Sequence, residues 1–188
     1  TKNNHFEGIF FRKTFINLKI GDYLMPIIFN MFEGFKQILA APFTNLNTLW
    51  FLTPLILLWI TLEVYFGRYK SERPEQSGWN NALSNGISML WVNIESMRYL
   101  FAEKPELFLV RFTFISLILG YGLFIVYISF THKFSGETTY YLGAPTPINY
   151  LSAISILWGP GNLIFTRWVI LDLVLIFPVI LGFFYLLR

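Results

Sequence analysis

The chain has 188 residues, of which 55% are hydrophobic, 20% aromatic and 13% charged. A soluble domain carries about 25% charged residues, so this composition and the mean hydropathy of +0.53 argue against a water-soluble domain. The formal net charge is only +3, without a basic run, which argues against a nucleic-acid partner. Because cysteine is absent, disulfides, iron–sulfur clusters and thiol catalysis are excluded. The long apolar runs predict an all-α integral membrane protein.

Residues 1–47 are predicted to form an N-terminal unit outside the hydrocarbon core. Residues 1–21 are a basic arm that carries Lys2, Arg12, Lys13 and Lys19. In residues 22–41, apolar side chains recur at helical spacing, while most polar ones fall elsewhere. The apolar positions are Leu24, Ile28, Met31, Phe35 and Ile38. This pattern predicts an amphipathic helix that lies in the membrane interface or, alternatively, packs on a partner domain.

Residues 48–188 are predicted to form a transmembrane helical bundle. Apolar segments of near-spanning length lie at about 48–66, 79–101, 107–130, 148–166 and 168–187. The fourth segment is interrupted at Trp158-Gly159-Pro160-Gly161. It is interpreted either as a kinked span, which gives five crossings, or as a re-entrant hairpin, which gives four. Irregular backbone at membrane depth must be buried in protein or line water.

The second span, 79–101, is the most polar of the five. On a helix with 100° per residue, most of its polar side chains share one face. This polar stripe comprises Asn81, Ser84, Asn85, Ser88 and Glu95, and Leu83, Ile87, Leu90 and Ile94 lie opposite. Polar residues within a span face the bundle interior or water, so the polar stripe predicts the lining of a water-filled path. The alternative is that its Asn and Ser side chains bond across helices and hold the bundle together.

Four ionisable residues are expected within the spans, namely Glu63, Glu95, Arg111 and Asp172. Glu95 lies near the end of the second span and Arg111 four residues into the third, so a short turn would bring them to similar depth. The sequence therefore predicts a Glu95–Arg111 ion pair, the alternative being that Arg111 extends to lipid headgroups. Asp172 would share an end of the bundle with this pair if there are five spans, and with Glu63 if there are four.

No catalytic or cofactor-binding constellation is apparent in the sequence. The two histidines, His5 and His132, lie outside the spans and match no metal-binding spacing. Gly120-Tyr121-Gly122 lies within continuous apolar sequence, so it is interpreted as a packing or kink site rather than a selectivity filter, which needs extended backbone. We expect no metal, no cofactor and no enzymatic activity.

These features predict a membrane protein that oligomerises and forms a channel or similar permeation path lined by the polar stripe. The alternative is a non-catalytic accessory or scaffold subunit of a larger membrane complex, with the polar stripe as its docking surface. The expected partners are the lipid bilayer and either identical subunits or other membrane subunits. We expect the cell membrane as the location. The N-terminus is expected inside, because residues 1–20 contain no export signal.

Overall fold

The computed structural model describes residues 24–69 and 74–187, and these residues are almost entirely helical. The helices are α1 (24–40), α2 (Leu46–Tyr69), α3 (Pro74–Glu103), α4 (Phe108–Thr131), α5 (Gly136–Leu142), α6 (Pro145–Trp158) and α7 (Arg167–Leu187). No strand occurs within the described ranges, so the predicted all-α fold class is confirmed for them. The predicted basic arm, 1–21, lies outside the described residues.

Three of the described helices are long and apolar enough to cross a membrane: Leu46–Val64 within α2, Phe108–Thr131 and Arg167–Leu187. This is compatible with an integral membrane protein. The other two predicted spans, 79–101 and 148–166, are not among these three helices. Polar side chains lower the hydropathy of α3, and α6 has only 14 residues, which rise about 21 Å. The number of crossings, four or five, therefore stays a prediction.

Helices α3 and α4 form an antiparallel pair at the centre of the bundle. Small residues allow the two backbones to approach closely: Gly86 of α3 faces Val126, and Gly122 of α4 faces Leu90. Buried apolar residues fill the space around this contact. The cluster consists of Ala82, Met89, Ile118, Ile125, Ile128 and Ile148. The last of these comes from α6, so α3, α4 and α6 share one core.

Helix α6 runs parallel to α3, and two close contacts fix its register. A Cβ on Gly143, just before α6, would lie 2.3 Å from the Cβ of Ala82. A Cβ on Gly159, just after α6, would lie 3.5 Å from the Cβ of Ser96. The numbers of the paired residues differ by 61 (143 minus 82) and 63 (159 minus 96). A nearly constant offset means that the two helices run in the same direction and stay in contact over the length of α6.

The end of α6 lies beside the starts of α2 and α4. The Thr44 hydroxyl, just before α2, lies 3.1 Å from the Gly161 carbonyl oxygen and 2.8 Å from the Ala41 carbonyl oxygen. Arg111, four residues into α4, donates from Nη1 to the Trp158 carbonyl at 2.8 Å. Because α6 begins shortly after the end of α4, it passes from one end of the bundle to the other. Helix α7 then begins at the end where α4 begins.

Helix α1 is held to the bundle at few points. Gly34 faces α7, and Ile38 joins the buried cluster that contains Leu52, Leu55 and Val169. Most of its other apolar side chains are exposed, including Met25, Ile28, Phe29, Phe32 and Leu39. Such exposure suits contact with lipid. The predicted position of α1 in the membrane interface stays a prediction.

Candidate functional site

The polar stripe of α3 divides between the interior and the surface of the chain. Asn81 and Asn85 are buried, Ser88 and Glu95 are half-buried, and Ser84 is exposed. The exposed face of α3 is mainly apolar and includes Ile87, Trp91 and Ile94. The stripe therefore does not form one continuous outer surface, and its most buried members contact other helices of the same chain.

Two asparagines of α3 each donate one amide hydrogen but leave the amide oxygen without a partner. Asn85 donates from Nδ2 to the Gly143 carbonyl at 2.7 Å. Asn93, which is not part of the predicted polar stripe, donates from Nδ2 to the Met89 carbonyl at 2.7 Å. The Oδ1 atoms of both residues are buried and have no hydrogen-bond partner. Both side chains are at most 1% exposed, so water outside the bundle does not reach them.

Helix α6 carries a second buried polar face, which sequence reasoning missed. Its members recur every three residues: Thr146, Asn149, Ser152 and Ser155, each at most 2% exposed. Asn149 donates from Nδ2 to the Pro145 carbonyl at 2.9 Å, and its Oδ1 has no partner. Ser155 donates to the Leu151 carbonyl at 3.2 Å, whereas the Ser152 hydroxyl has no partner. The three-residue repeat was the signal in the sequence that indicated this face.

The unpartnered amide atoms are all hydrogen-bond acceptors. Each of the three amide groups donates to a backbone carbonyl, and reversing an amide would set its oxygen against that carbonyl oxygen. The orientation of each side chain is therefore fixed by its partner. A buried acceptor left without a donor is costly. The atoms left without partners are therefore oxygens, which suit a donor or a cation rather than an anion.

The register of the two helices gives the level of each acceptor along the bundle. With offsets of 61 and 63, Asn85 lies level with residues 146–148 and Asn93 level with residues 154–156. Asn149 and Ser152 fall between these two levels. The eight residues from 85 to 93 correspond to a rise of about 12 Å. We call this set, Asn85, Asn93, Asn149 and Ser152, the acceptor column.

Glu63 of α2 lies at the end of the acceptor column where α6 begins. The Thr146 hydroxyl donates to Oε1 of Glu63 in a short hydrogen bond, and Trp59 Nε1 lies 3.5 Å from the same hydroxyl. Glu63 is only 2% exposed. A carboxylate from α2 therefore contacts the first turn of α6 inside the bundle.

The predicted Glu95–Arg111 ion pair is wrong, because both residues have nearer partners. Glu95 Oε2 lies 2.8 Å from Arg98 Nη2, one turn along the same helix. Arg111 Nη1 donates to the Trp158 carbonyl and to Asn162 Oδ1, both at 2.8 Å. Trp158 is the last residue of α6, and the final carbonyls of a helix lack intrahelical donors and carry partial negative charge. This end of α6 therefore attracts the guanidinium.

Asp172 contacts α1. It is 5% exposed, and its Oδ2 has no hydrogen-bond partner. A Cβ on Gly34 would lie 2.3 Å from that oxygen. Asp172 comes five residues after Arg167, the start of α7, and thus lies toward the end of the bundle that holds Arg111 rather than the end that holds Glu63. This is the placement that the sequence analysis associated with five spans.

The remaining described surface offers no comparable chemistry. A groove of about 650 Å³ follows α2, but its lining is almost entirely apolar: Leu46, Leu49, Trp50, Thr53, Pro54 and Leu57. No group of three or more His, Cys, Asp or Glu residues that could hold a metal ion occurs among the residues described. The acceptor column is therefore the candidate site.

No family model, curated protein or solved structure matches the chain.

Proposed function

We propose that this protein forms a permeation path for a small cation through a membrane, with α3 as one wall and α6 as the other. The observation that supports the proposal is the acceptor column, in which buried amide oxygens without partners follow both helices. Polar groups at membrane depth are costly and typically belong to substrate or ion pathways. This proposal keeps the predicted role of the second span and adds a second lining helix.

The alternative role of the polar residues is bonding between helices. That role explains why the amide nitrogens have partners, but not why the amide oxygens have none. An amide that held two helices together would use its oxygen as well as its nitrogen, because both must be satisfied in a dry interior. Here the nitrogens are used and the oxygens of Asn85, Asn93 and Asn149 are not. Buried acceptors without partners on two adjacent helices are what a passing cation requires.

The path is closed in this conformation, because the residues of the column are fully buried. Helix α6 is flanked by residues that permit backbone rotation: Gly143 precedes it, and Gly159 and Gly161 follow it. Glycines at helix ends can absorb the φ and ψ changes of a hinge. We propose that α6 moves against α3 when the path opens.

The larger assembly is also part of the proposal. We propose a homo-oligomer in the cell membrane, with five crossings per chain, α1 in the interface and the N-terminus inside. Native mass spectrometry of the protein in lipid nanodiscs tests the oligomer. A single closed homo-oligomer supports it, and a monomer contradicts it.

A flux assay on the purified protein in liposomes tests the permeation path. We expect Na⁺ or K⁺ flux above that of empty liposomes, and Asn93→Leu should lower it by about tenfold or more, which corresponds to about 1.4 kcal/mol of barrier. Ser84→Leu is the matched control on the same helix, because Ser84 is exposed and should leave flux unchanged. Absence of flux in the native protein, or equal loss in both variants, would contradict the proposal.

A second candidate function, an accessory subunit of a membrane complex, is favoured by the outer edge of α3. Ser84 is exposed there, and the Arg98 side chain is 76% exposed. Exposed polar groups are unfavourable against lipid, and a partner helix would cover them. For such a subunit, Ser84→Leu combined with Arg98→Leu should release a co-purifying membrane protein. For the permeation path, the same double variant should keep its flux.

A further inference from the structure

We infer that the guanidinium of Arg111 binds the phosphate group of a membrane phospholipid, at the end of the bundle where α4 begins. The inference does not rest on the permeation path, and its test requires no flux. Contact with lipid headgroups was the alternative to the Glu95–Arg111 ion pair, which the structure does not contain. Three observations support it: the charge of Arg111, the edge of its guanidinium that has no partner, and its depth in the span.

Arg111 carries a buried positive charge without an ionic partner. The residue is 5% exposed, and neither of the ion pairs among the described residues includes it. Glu106, exposed in the turn before α4, attracts the guanidinium only through space. The carbonyl end of α6 supplies about half an elementary charge. Because a buried charge is costly unless it is paired, an anion at this position would stabilise the protein.

The hydrogen bonds of Arg111 use only one nitrogen of the guanidinium. Nη1 donates both to the Trp158 carbonyl and to Asn162 Oδ1. Nε is buried and has no hydrogen-bond partner, and Nη2 donates to no residue in the described part of the chain. Nε and Nη2 form one edge of this planar group, and such an edge binds two oxygens of a phosphate in parallel hydrogen bonds. The edge that suits an oxyanion is therefore free.

The free edge can be approached from the loop between α6 and α7. Asn162, which accepts from Arg111, is an exposed residue of this loop. Nη2 is not among the fully buried atoms without partners, whereas Nε is. A phosphate would therefore meet Nη2 first. Contact with Nε needs a shift of the side chain toward the surface, which the long apolar stem of arginine permits.

The depth of Arg111 selects a lipid as the source of the phosphate. The span Phe108–Thr131 has 24 residues, which rise about 36 Å, or about 6 Å more than the hydrocarbon core. With this excess divided between the two ends, about 3 Å of α4 lies outside the core at each end. Arg111 comes three residues after Phe108, about 4.5 Å along the helix, and thus lies close to the hydrocarbon boundary. Arginine at this depth reaches the headgroup layer.

An aromatic surface beside Arg111 suits the acyl chains of the same lipid. Phe108 and Phe112 lie about 60° and 100° around α4 from Arg111. Together with Phe101 at the end of α3, which is 56% exposed, they form a group of rings with centroids 5.4, 5.7 and 6.0 Å apart. A chain packed on these rings would keep its headgroup near the guanidinium.

Native mass spectrometry of the protein, purified in an uncharged detergent, tests the site. The protein is titrated with phosphatidylglycerol or with diacylglycerol of the same acyl chains, which lacks only the headgroup phosphate and its substituent. We expect one phosphatidylglycerol molecule to remain bound at low lipid concentration and diacylglycerol to bind at least about tenfold more weakly, because a hydrogen bond to a charged group is strong.

Substitutions show whether Arg111 is the binding residue. Arg111→Gln should weaken phosphatidylglycerol binding about tenfold or more, and Arg111→Lys, which keeps the charge but lacks the two-donor edge, should also weaken it. Arg98→Gln is the matched control, because Arg98 is an exposed cation toward the same end of the bundle. Asn162→Gly removes a partner of Nη1 but leaves the free edge, so it should keep lipid binding despite a loss of stability. If Arg111→Gln does not fold, Arg111→Lys and Asn162→Gly still decide the outcome.

The outcomes distinguish a lipid from free phosphate and from nonspecific adsorption. Equal binding of the two lipids, or equal phosphatidylglycerol binding by the native protein, Arg111→Lys and Arg98→Gln, would overturn the site. Thermal unfolding in sodium phosphate and in sodium chloride, at equal ionic strength, provides the second arm. If phosphate alone raises the unfolding midpoint through Arg111 and phosphatidylglycerol does not bind, the lipid is overturned as the ligand. Loss of lipid binding in Asn162→Gly as well as in Arg111→Lys would indicate a general effect of stability and would also overturn the site.

Discussion

The carboxylate of Asp172 lies directly against the backbone of Gly34, so that α1 meets α7 at a residue without a side chain. A Cβ on Gly34 would lie 2.3 Å from Asp172 Oδ2 and 3.3 Å from the backbone nitrogen of Val169. Rotation of the aspartate could relieve the first contact, but the second involves backbone. The position of α1 on the bundle therefore depends on glycine at residue 34.

We expect Gly34→Ala to weaken the docking of α1. Overpacking at a close contact costs about 1–3 kcal/mol, which exceeds the gain of about 1 kcal/mol from replacing glycine by alanine within a helix. Gly120→Ala is the matched control, because a Cβ there would have no neighbour within 4 Å. Thermal unfolding in detergent should therefore show a lower midpoint for Gly34→Ala and an unchanged or higher one for Gly120→Ala.

A second substitution identifies the atom responsible. Combining Gly34→Ala with Asp172→Ala removes the closest contact, so part of the lost stability should return relative to Gly34→Ala alone. If the stability lost in the double variant, relative to the native protein, equals the sum of the losses in the two single variants, the two residues do not interact. That result would contradict the contact between α1 and α7.

Arg111 and Asn162 should be coupled in stability, because the guanidinium holds the break after α6. Asn162 has a positive φ of 52°, so Asn162→Gly removes its oxygen without backbone strain. A hydrogen bond to a charged group contributes about 1.5–3 kcal/mol. We expect Arg111→Met, which loses both bonds, to lower the unfolding midpoint more than Asn162→Gly. In the double variant the losses should be less than additive, and full additivity would contradict the bond.

Charge reversal of Glu95 and Arg111 should not restore stability. The two residues do not pair, since Glu95 contacts Arg98 and Arg111 contacts the end of α6. Arg111→Glu should be strongly destabilising, because it sets a carboxylate against backbone carbonyls, and adding Glu95→Arg should not recover the loss. Glu95→Gln alone should change stability by about 0.5 kcal/mol or less, because Arg98 is exposed and pairs one turn apart on a helix are weak. If the double charge reversal recovers the stability lost in Arg111→Glu, that result would support the predicted Glu95–Arg111 ion pair.

The helical fold could be predicted from sequence, because apolar runs and helical periodicity are local properties. The break at Trp158-Gly159-Pro160-Gly161 was equally visible, since proline and glycine end helices by their own backbone preferences. The helical wheel also identified Asn85 as part of a polar face. These inferences needed no knowledge of which segments are neighbours.

The partners of the polar residues could not be predicted in this way. Asn85 donates to a backbone carbonyl 58 positions away, and Arg111 to one 47 positions away. Every residue has a carbonyl, so nothing in the sequence distinguishes Gly143 or Trp158 as an acceptor. The Glu95–Arg111 prediction failed for this reason: it considered only side chains of opposite charge, and the nearer partner of Arg111 was the open end of a helix.

Thr146 should contribute more to stability than other threonines in the spans. Its hydroxyl bonds to the buried Glu63 across two helices, whereas the exposed Thr113 bonds within its own helix to the Leu109 carbonyl. Bonds between membrane helices contribute about 0.6–1.7 kcal/mol, and Thr146→Val also leaves a buried carboxylate oxygen without this donor. We expect a lower unfolding midpoint for Thr146→Val, recovery in Thr146→Ser, and no change in Thr113→Val. Equal midpoints for both valine variants would contradict the role of Thr146.

The path of α6 predicts five membrane crossings, which labelling of single cysteines can test because the chain has none of its own. The end of α6 bonds to Arg111 near the start of α4, so Ile164 and Glu103 should lie on one side of the membrane. Glu137, in α5, should lie on the other. In oriented vesicles, an impermeant maleimide should label Glu103→Cys and Ile164→Cys from the same side and Glu137→Cys from the opposite side. If Ile164→Cys is instead labelled from the side of Glu137→Cys, α6 is re-entrant and the chain has four crossings.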